Sequence, residues 1–145
     1  MEQYIKPLEI RWSDLDANFH LRHSAYYDFG AYARICFLRD NGLTMDVMQQ
    51  QHFGPILFRE ECSFRREIRL GDEVSINVQL LRSKPDFSRW SIQHQFFKNG
   101  QPAALLTVDG AWIDTILRKL TVLPDISRPA FELMPRAENF EWIVK

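Results

Sequence analysis

Between Ile10 and Tyr27 the chain brings Asp14, Asp16, Asn18, His20 and His23 within a few residues of one another. Carboxylates and imidazoles are the side chains that most often move protons near neutral pH. Two acids, two imidazoles and an amide in one short segment therefore point to acid–base or nucleophilic chemistry, at a place where an apolar strand-like start gives way to a helix start. An aspartate in such a position has a plainer use too, capping or solvating a turn. For Asp14 an Asx-type turn and support of a catalytic loop weigh equally.

The elements that would hold this segment follow from periodicity. Leu8 to Trp12 alternates apolar and charged residues, which predicts a half-buried strand ending near Ser13. Ser24 reads as an N-cap, and the proline-free run Ala25 to Asp40 sets Tyr26, Phe29, Ala33, Cys36 and Phe37 near helical spacing before Asn41-Gly42 stops it. Thr44 to His52 predicts a short helix, Gly54-Pro55 punctuates, and Leu57 to Ile68 reads as an extended strand. Leu70-Gly71-Asp72 predicts a turn. Glu73 to Leu80 alternates polar and apolar residues, and Trp90, Ile92, His94 and Phe96 occupy alternate positions of the next strand. Asn99-Gly100 predicts a tight hairpin returning through Ala103 to Asp114, with Gly110 marking a bulge. A polar, proline-containing tail is expected from about residue 121. The order of one long helix followed by an antiparallel meander predicts an α+β layer within a single domain, residues 1–145. Without strand–helix alternation or a glycine-rich phosphate loop, a dinucleotide-binding unit is disfavoured.

With 145 residues, 46% of them hydrophobic, the chain can bury a core without disulfides or metal. A net charge of -1 offers no broad attraction for a polyanion, so nucleic acid is not an expected partner. Cys36 and Cys62 lack metal-ligand spacing and read as buried free thiols. Neither a basic-then-apolar leader nor a membrane-length apolar run is seen, so a soluble cytoplasmic protein with no membrane partner is expected.

The run Ile10-Arg11-Trp12-Ser13-Asp14-Leu15-Asp16-Ala17-Asn18-Phe19-His20-Leu21-Arg22-His23-Ser24-Ala25-Tyr26 resembles the R-[YW]-x-D-x-D-x-x-G-H-x-N-N-x-x-Y signature of hotdog-fold acyl-CoA thioesterases of the 4-hydroxybenzoyl-CoA thioesterase-like branch. Ala33-Arg34, the Leu70-Gly71-Asp72-Glu73 turn and the Asn99-Gly100 hairpin extend the resemblance. It implies one long helix wrapped by a five-stranded antiparallel sheet, a homodimer or dimer of dimers (homotetramer), and hydrolysis of an acyl-CoA to a carboxylic acid and free coenzyme A. It carries the catalytic carboxylate onto Asp16, as nucleophile or general base, with Asp14 in support. The region Leu21 to Ser24 becomes the oxyanion site, whose helix-start amides suit a developing negative charge. His20 takes the signature histidine position and holds the loop, and His23 orients water or binds substrate. Tyr26 forms core or acyl-pocket wall. No metal or redox cofactor is implied.

The sequence departs from the signature at Phe19, which replaces glycine, and at Arg22 and His23, which replace an Asn-Asn pair. A left-handed backbone is harder to adopt at Phe19, and its ring is expected to narrow the pocket mouth. These departures fit retuned acyl specificity. The runner-up they allow is a non-hydrolytic hotdog module that binds acyl-CoA or acyl-carrier protein, and a weaker third reading is a structural assembly subunit. Asp16 with the helix-start donors opposes both. His94, on an inward strand face, reads as a satisfied core group. Arg59, Arg65 and Arg66 read as a solvated strand face, with one of them able to meet a coenzyme A phosphate.

Overall fold

The computed structural model describes residues 3–144. Its centre is an 18-residue helix, α1 (His23–Asp40), which buries Ala25, Tyr26, Ala33 and Phe37 against the sheet. The helix starts two residues before the expected run, and its N-cap is Arg22 rather than Ser24. Asn41 closes it, and Gly42 follows in the left-handed region that a glycine accepts without strain. A short second helix, α2 (Met45–Gln51), is capped by Thr44, whose hydroxyl accepts from the Val47 amide at 3.2 Å.

Among the described residues the sheet has eight strands where five are expected. They are β1 (Ile5–Leu8), β2 (Phe53–Phe64), β3 (Val74–Asn77), β4 (Gln79–Ser83), β5 (Arg89–Lys98), β6 (Gln101–Asp114), β7 (Lys119–Thr121) and β8 (Arg136–Trp142). Strand β5 is flanked by β3 and β4 end to end on one side and by β6 on the other. Outside β6 lies β2, which has no second partner among the described residues. All pairings are antiparallel except β4 with β8.

The added strands have local causes. The expected strand Glu73 to Leu80 breaks because Asn77 uses its side chain as a backbone substitute: its Oδ1 accepts the Gln95 amide at 2.7 Å, and its Nδ2 donates to the Gln95 side chain at 2.7 Å. The first strand lies earlier than expected. Asp14 accepts the Arg11 amide at 2.9 Å, folding Trp12–Asp14 into a 3-10 turn. Strand β2 begins at Phe53 and runs through Gly54-Pro55, since an edge strand tolerates proline. It stops at Phe64 because the Arg65 and Arg66 amides both donate to the Ala103 carbonyl, at 2.8 and 3.0 Å.

The bulge is on β2, with the register shifting between Leu57 and Arg59 opposite Gly110. Gly110 is bare for another reason: a Cβ there would collide with the Trp90 ring and lie 2.8 Å from the Ile56 carbonyl oxygen. The Asn99-Gly100 hairpin is as expected, with both residues at positive φ (51° and 83°).

The expected polar tail is instead part of the core. Helix α3 (Arg128–Glu132) and its flanks bury Leu123, Ala130, Phe131 and Met134 completely or nearly so. Phe131 packs on Trp90 and Trp112 at ring separations of 5.7 and 5.6 Å. His94 is also fully buried and satisfied: Nδ1 donates to the Asn77 carbonyl at 2.7 Å, and Nε2 accepts from Arg34 at 3.0 Å. Of the thiols, Cys36 is buried and Cys62 half-buried.

Candidate active site

The loop before α1 is a tight turn. Leu15 and Leu21 bridge across it, the Asp16 amide donates to the His20 carbonyl at 2.8 Å, and the Phe19 amide donates to the Asp16 carbonyl at 3.0 Å. Asp16 stabilises this turn with one carboxylate oxygen, Oδ1, which accepts the amides of Asn18 (2.9 Å) and His20 (3.2 Å). Those amides, His20 first, hold its carboxyl below the usual carboxylate range. Asp16 is therefore ionised at neutral pH, solvent-exposed, and left with Oδ2 uncommitted among the described hydrogen bonds.

Asp14 is the opposite kind of carboxylate. It is buried, its Oδ2 accepts from the Arg11 backbone and Nε, and its Oδ1 accepts from Arg11 Nη2 at 2.9 Å. The Arg11 side-chain bond lowers its pKa most. Asp14 fixes the loop's entry, and its backbone carbonyl accepts the Arg22 amide at 2.8 Å.

The start of α1 supplies donors. The Leu21 and Arg22 amides are spent on the Ile68 and Asp14 carbonyls, and the Ala25 amide bonds the Arg22 carbonyl at 3.0 Å. His23 and Ser24 keep amides with no partner among the described hydrogen bonds. The oxyanion candidates thus narrow from Leu21–Ser24 to these two, at the positive end of an 18-residue helix.

A pocket of about 300 Å³ lies against this end of the helix, lined by Asp16, His20, His23, Tyr26, Phe64 and the segment Arg65–Glu67. Tyr26 is buried in its wall, edge-on to Phe64 and Phe96 at 4.9 and 5.2 Å. Burial above all pushes its hydroxyl up to about 12, so it stays protonated. His20 meets Glu67 at 3.1 Å.

Four sequence-selected residues stand outside the lining. Asp14 is buried behind the loop. Arg22 turns back to the Ser13 carbonyl, and its Nε donates to the Ser24 hydroxyl at 3.0 Å, so that the amide is the unspent group of Ser24. Phe19 adopts φ 65° despite its side chain, and its ring is 64% exposed rather than set in the mouth.

Arg65 and Arg66 were read with Arg59 as a solvated strand face able to meet a phosphate, but their place beside Asp16, and that of Glu67, was not legible. They sit more than forty positions from Asp16 and are brought to it where the Glu67–Arg69 segment meets the loop, through the His20–Glu67 contact, the Leu21 amide on the Ile68 carbonyl and the His20–Arg69 bridge. The one signal was the doubled arginine at a strand end. The same segment continues into an adjoining basic groove of about 560 Å³ that includes Arg69 and Lys98. Lys98 is anchored there by the Glu67 carbonyl at 2.6 Å and by Asp72 at 3.4 Å.

Comparison with known proteins bears on the family and the fold. Residues 10–131 match the Thioesterase-like superfamily. No curated protein matches the chain. A Staphylococcus aureus hypothetical protein in complex with CoA superposes with a TM-score of 0.84 at 16% identity, over 99% of this chain and 89% of that one. A 1,4-dihydroxy-2-naphthoyl-CoA thioesterase from Synechocystis gives 0.80 at 15% identity, over 91% and 97%. A Thermus thermophilus thioesterase complexed with coenzyme A and zinc gives 0.73 at 25% identity, over 90% and 93%. The family match spans most of the chain, and the fold these structures share is the one described above; the chain belongs to the thioesterase-like superfamily and has the hotdog fold.

Proposed function

We propose that this protein hydrolyses an acyl-CoA thioester to a carboxylic acid and free coenzyme A. The observation that carries the reading is one pocket lined by an ionised carboxylate with a free oxygen, Asp16, and by His23, whose unspent amide opens the helix beside that of Ser24, next to a run of cations. In this account the helix-start amides receive the thioester oxygen as it gains negative charge. Asp16 either attacks the carbonyl carbon, expelling the coenzyme A thiolate and leaving an anhydride for water to cleave, or takes a proton from water as that water attacks. His23 orients the water or the acyl group. Arg65, Arg66, Arg69 and Lys98 hold the coenzyme A phosphates, as guanidinium forks and ammonium groups do.

The site is completed by a second copy in this reading, as a homodimer or dimer of dimers. The open edge of β2 supports it: twelve residues, with Leu57, Phe58 and Phe64 exposed and no strand beyond it among the described residues. Sedimentation should give a mass of at least twice the 17.2 kDa chain. Among the described residues no helix is long and apolar enough to cross a membrane, and catalysis on a soluble acyl-CoA in the cytoplasm fits the proposal.

One observation favours a second reading. Asp16 already serves the turn through Oδ1, so its presence is accounted for without chemistry, and the chain then acts as a hotdog module that binds acyl-CoA or acyl-carrier protein without hydrolysis. Release of free thiol from a panel of acyl-CoAs of graded chain length, aliphatic and aromatic, separates the two. Turnover of any member supports the esterase, while tight binding of the panel with no thiol release supports the module.

A further inference from the structure

A second cavity, of about 370 Å³, lies beneath the C-terminal half of α1, between that helix, α2 and the sheet. Arg34 lies on the order of 16 Å along the helix from His23. Its walls are apolar, with Met48, Leu38, Ile92 and Met134 among them, and the mouth carries Met45 and Leu57, both exposed. The size is that of a small-molecule site.

Three polar features break the apolar lining. Among the described residues Arg34 is the only charged one in it, and its side chain is 11% exposed. One of its N–H groups donates to His94, and it forms an ion pair with Glu60 on the exposed β2 edge at 3.8 Å, beyond hydrogen-bond distance. A guanidinium has further donors to give, and His94 is neutral here, pushed down to about 3 chiefly by burial, so it brings no counter-charge. The other two features are the indole N–H groups of Trp90 and Trp112. Both rings line the cavity, both are at least nine-tenths buried, and neither N–H has a partner among the described residues. A buried cation short of acceptors beside two orphaned donors, inside a greasy cavity, is costly unless something brings oxygen atoms to them.

We propose that this cavity binds an apolar monocarboxylic acid, its carboxylate on Arg34 and its hydrocarbon part among the methionine and aromatic side chains, as a site separate from the Asp16 pocket. It does not depend on hydrolysis by this protein. The test is calorimetric titration of the purified protein with octanoate and, separately, octan-1-ol. One octanoate should bind per chain, with the alcohol roughly tenfold or more weaker because it lacks the charge. Arg34→Met should weaken octanoate by a similar factor. Met45→Trp, at the exposed mouth, should abolish binding while keeping the wild-type thermal melt, which covers the case in which the arginine variant does not fold. Absence of saturable octanoate binding, equal affinity for the alcohol, or undiminished affinity in folded Met45→Trp would each overturn the proposal.

Discussion

The two ends of α1 treat titratable groups in opposite ways. At its start, Asp16 is exposed, ionised and half-used, and the amides of His23 and Ser24 are unspent. Under its second half, His94 is fully buried and neutral, and Arg34 is held below its ordinary value by desolvation. The first arrangement leaves reactive atoms reachable by substrate and water. The second commits both ring nitrogens of His94 to the helix–sheet join, where a protonation change costs stability instead of changing a rate. What separates them is solvent access, since a histidine and a cation are present at both ends.

The closed end should show its weight as stability. Trp112→Ala removes a ring in contact with Phe53, Trp90 and Phe131, and is expected to cost roughly 3–5 kcal/mol by urea denaturation. A loss below about 1 kcal/mol would mean that this end is loosely packed.

At the open end, Arg65→Ala with Arg66→Ala should raise KM for acyl-CoA by roughly tenfold, with the gap to wild type shrinking as salt is added. Melting should move little, since both side chains are exposed. An unchanged KM would detach the basic groove from coenzyme A.

How much of this contrast was readable in advance depends on how local its causes are. The alternation of Trp90, Ile92, His94 and Phe96, the Asn99-Gly100 hairpin and the proline-free helix each carry their signal within a few residues, and the buried, satisfied role of His94 followed from its strand face. The residues from Leu123 to Met134 lie in short pieces between Pro124, Pro129 and Pro135, with no period long enough to reveal that Leu123, Phe131 and Met134 complete the core. The split at Asn77 depends on Gln95 across the sheet. At the site, Asp16, His20, His23 and Tyr26 were legible because one segment carries them, whereas Arg65 to Glu67 arrive through long-range contacts of the segment after β2 with His20 and Leu21. Phe19 misled in a different way. A side chain disfavours positive φ without forbidding it, and the turn bonds of Asp16 hold φ at 65° regardless.

The pH dependence of stability sharpens the contrast further. His94 has a folded pKa depressed to about 3, from 6.5, so its contribution is complete above about 6.5 and is lost as pH falls toward 3, because the unfolded chain binds the proton first. Urea denaturation between pH 7.5 and 5 should show stability falling with acidity, and His94→Gln, though less stable overall, should show a shallower slope. Equal slopes would place the proton uptake elsewhere.

The smallest expected effect is at Phe19. Phe19→Gly relieves the left-handed strain and should raise stability by at most about 1 kcal/mol, partly offset by glycine's greater entropy when unfolded. With the ring turned to solvent, the ratio of specificity constants for an aromatic and a straight-chain acyl-CoA should stay as in wild type. A wider acyl range in the variant would put the ring back over the substrate, as the sequence alone implies.

The central claim, that the open end of α1 performs the chemistry through Asp16, is tested most directly by thioester turnover in Asp16→Asn. Asparagine keeps the oxygen that accepts the Asn18 and His20 amides, so the turn, the thermal melt and coenzyme A affinity should all persist. Turnover should fall by roughly a hundredfold to ten-thousandfold. Undiminished turnover in the folded variant would contradict the account.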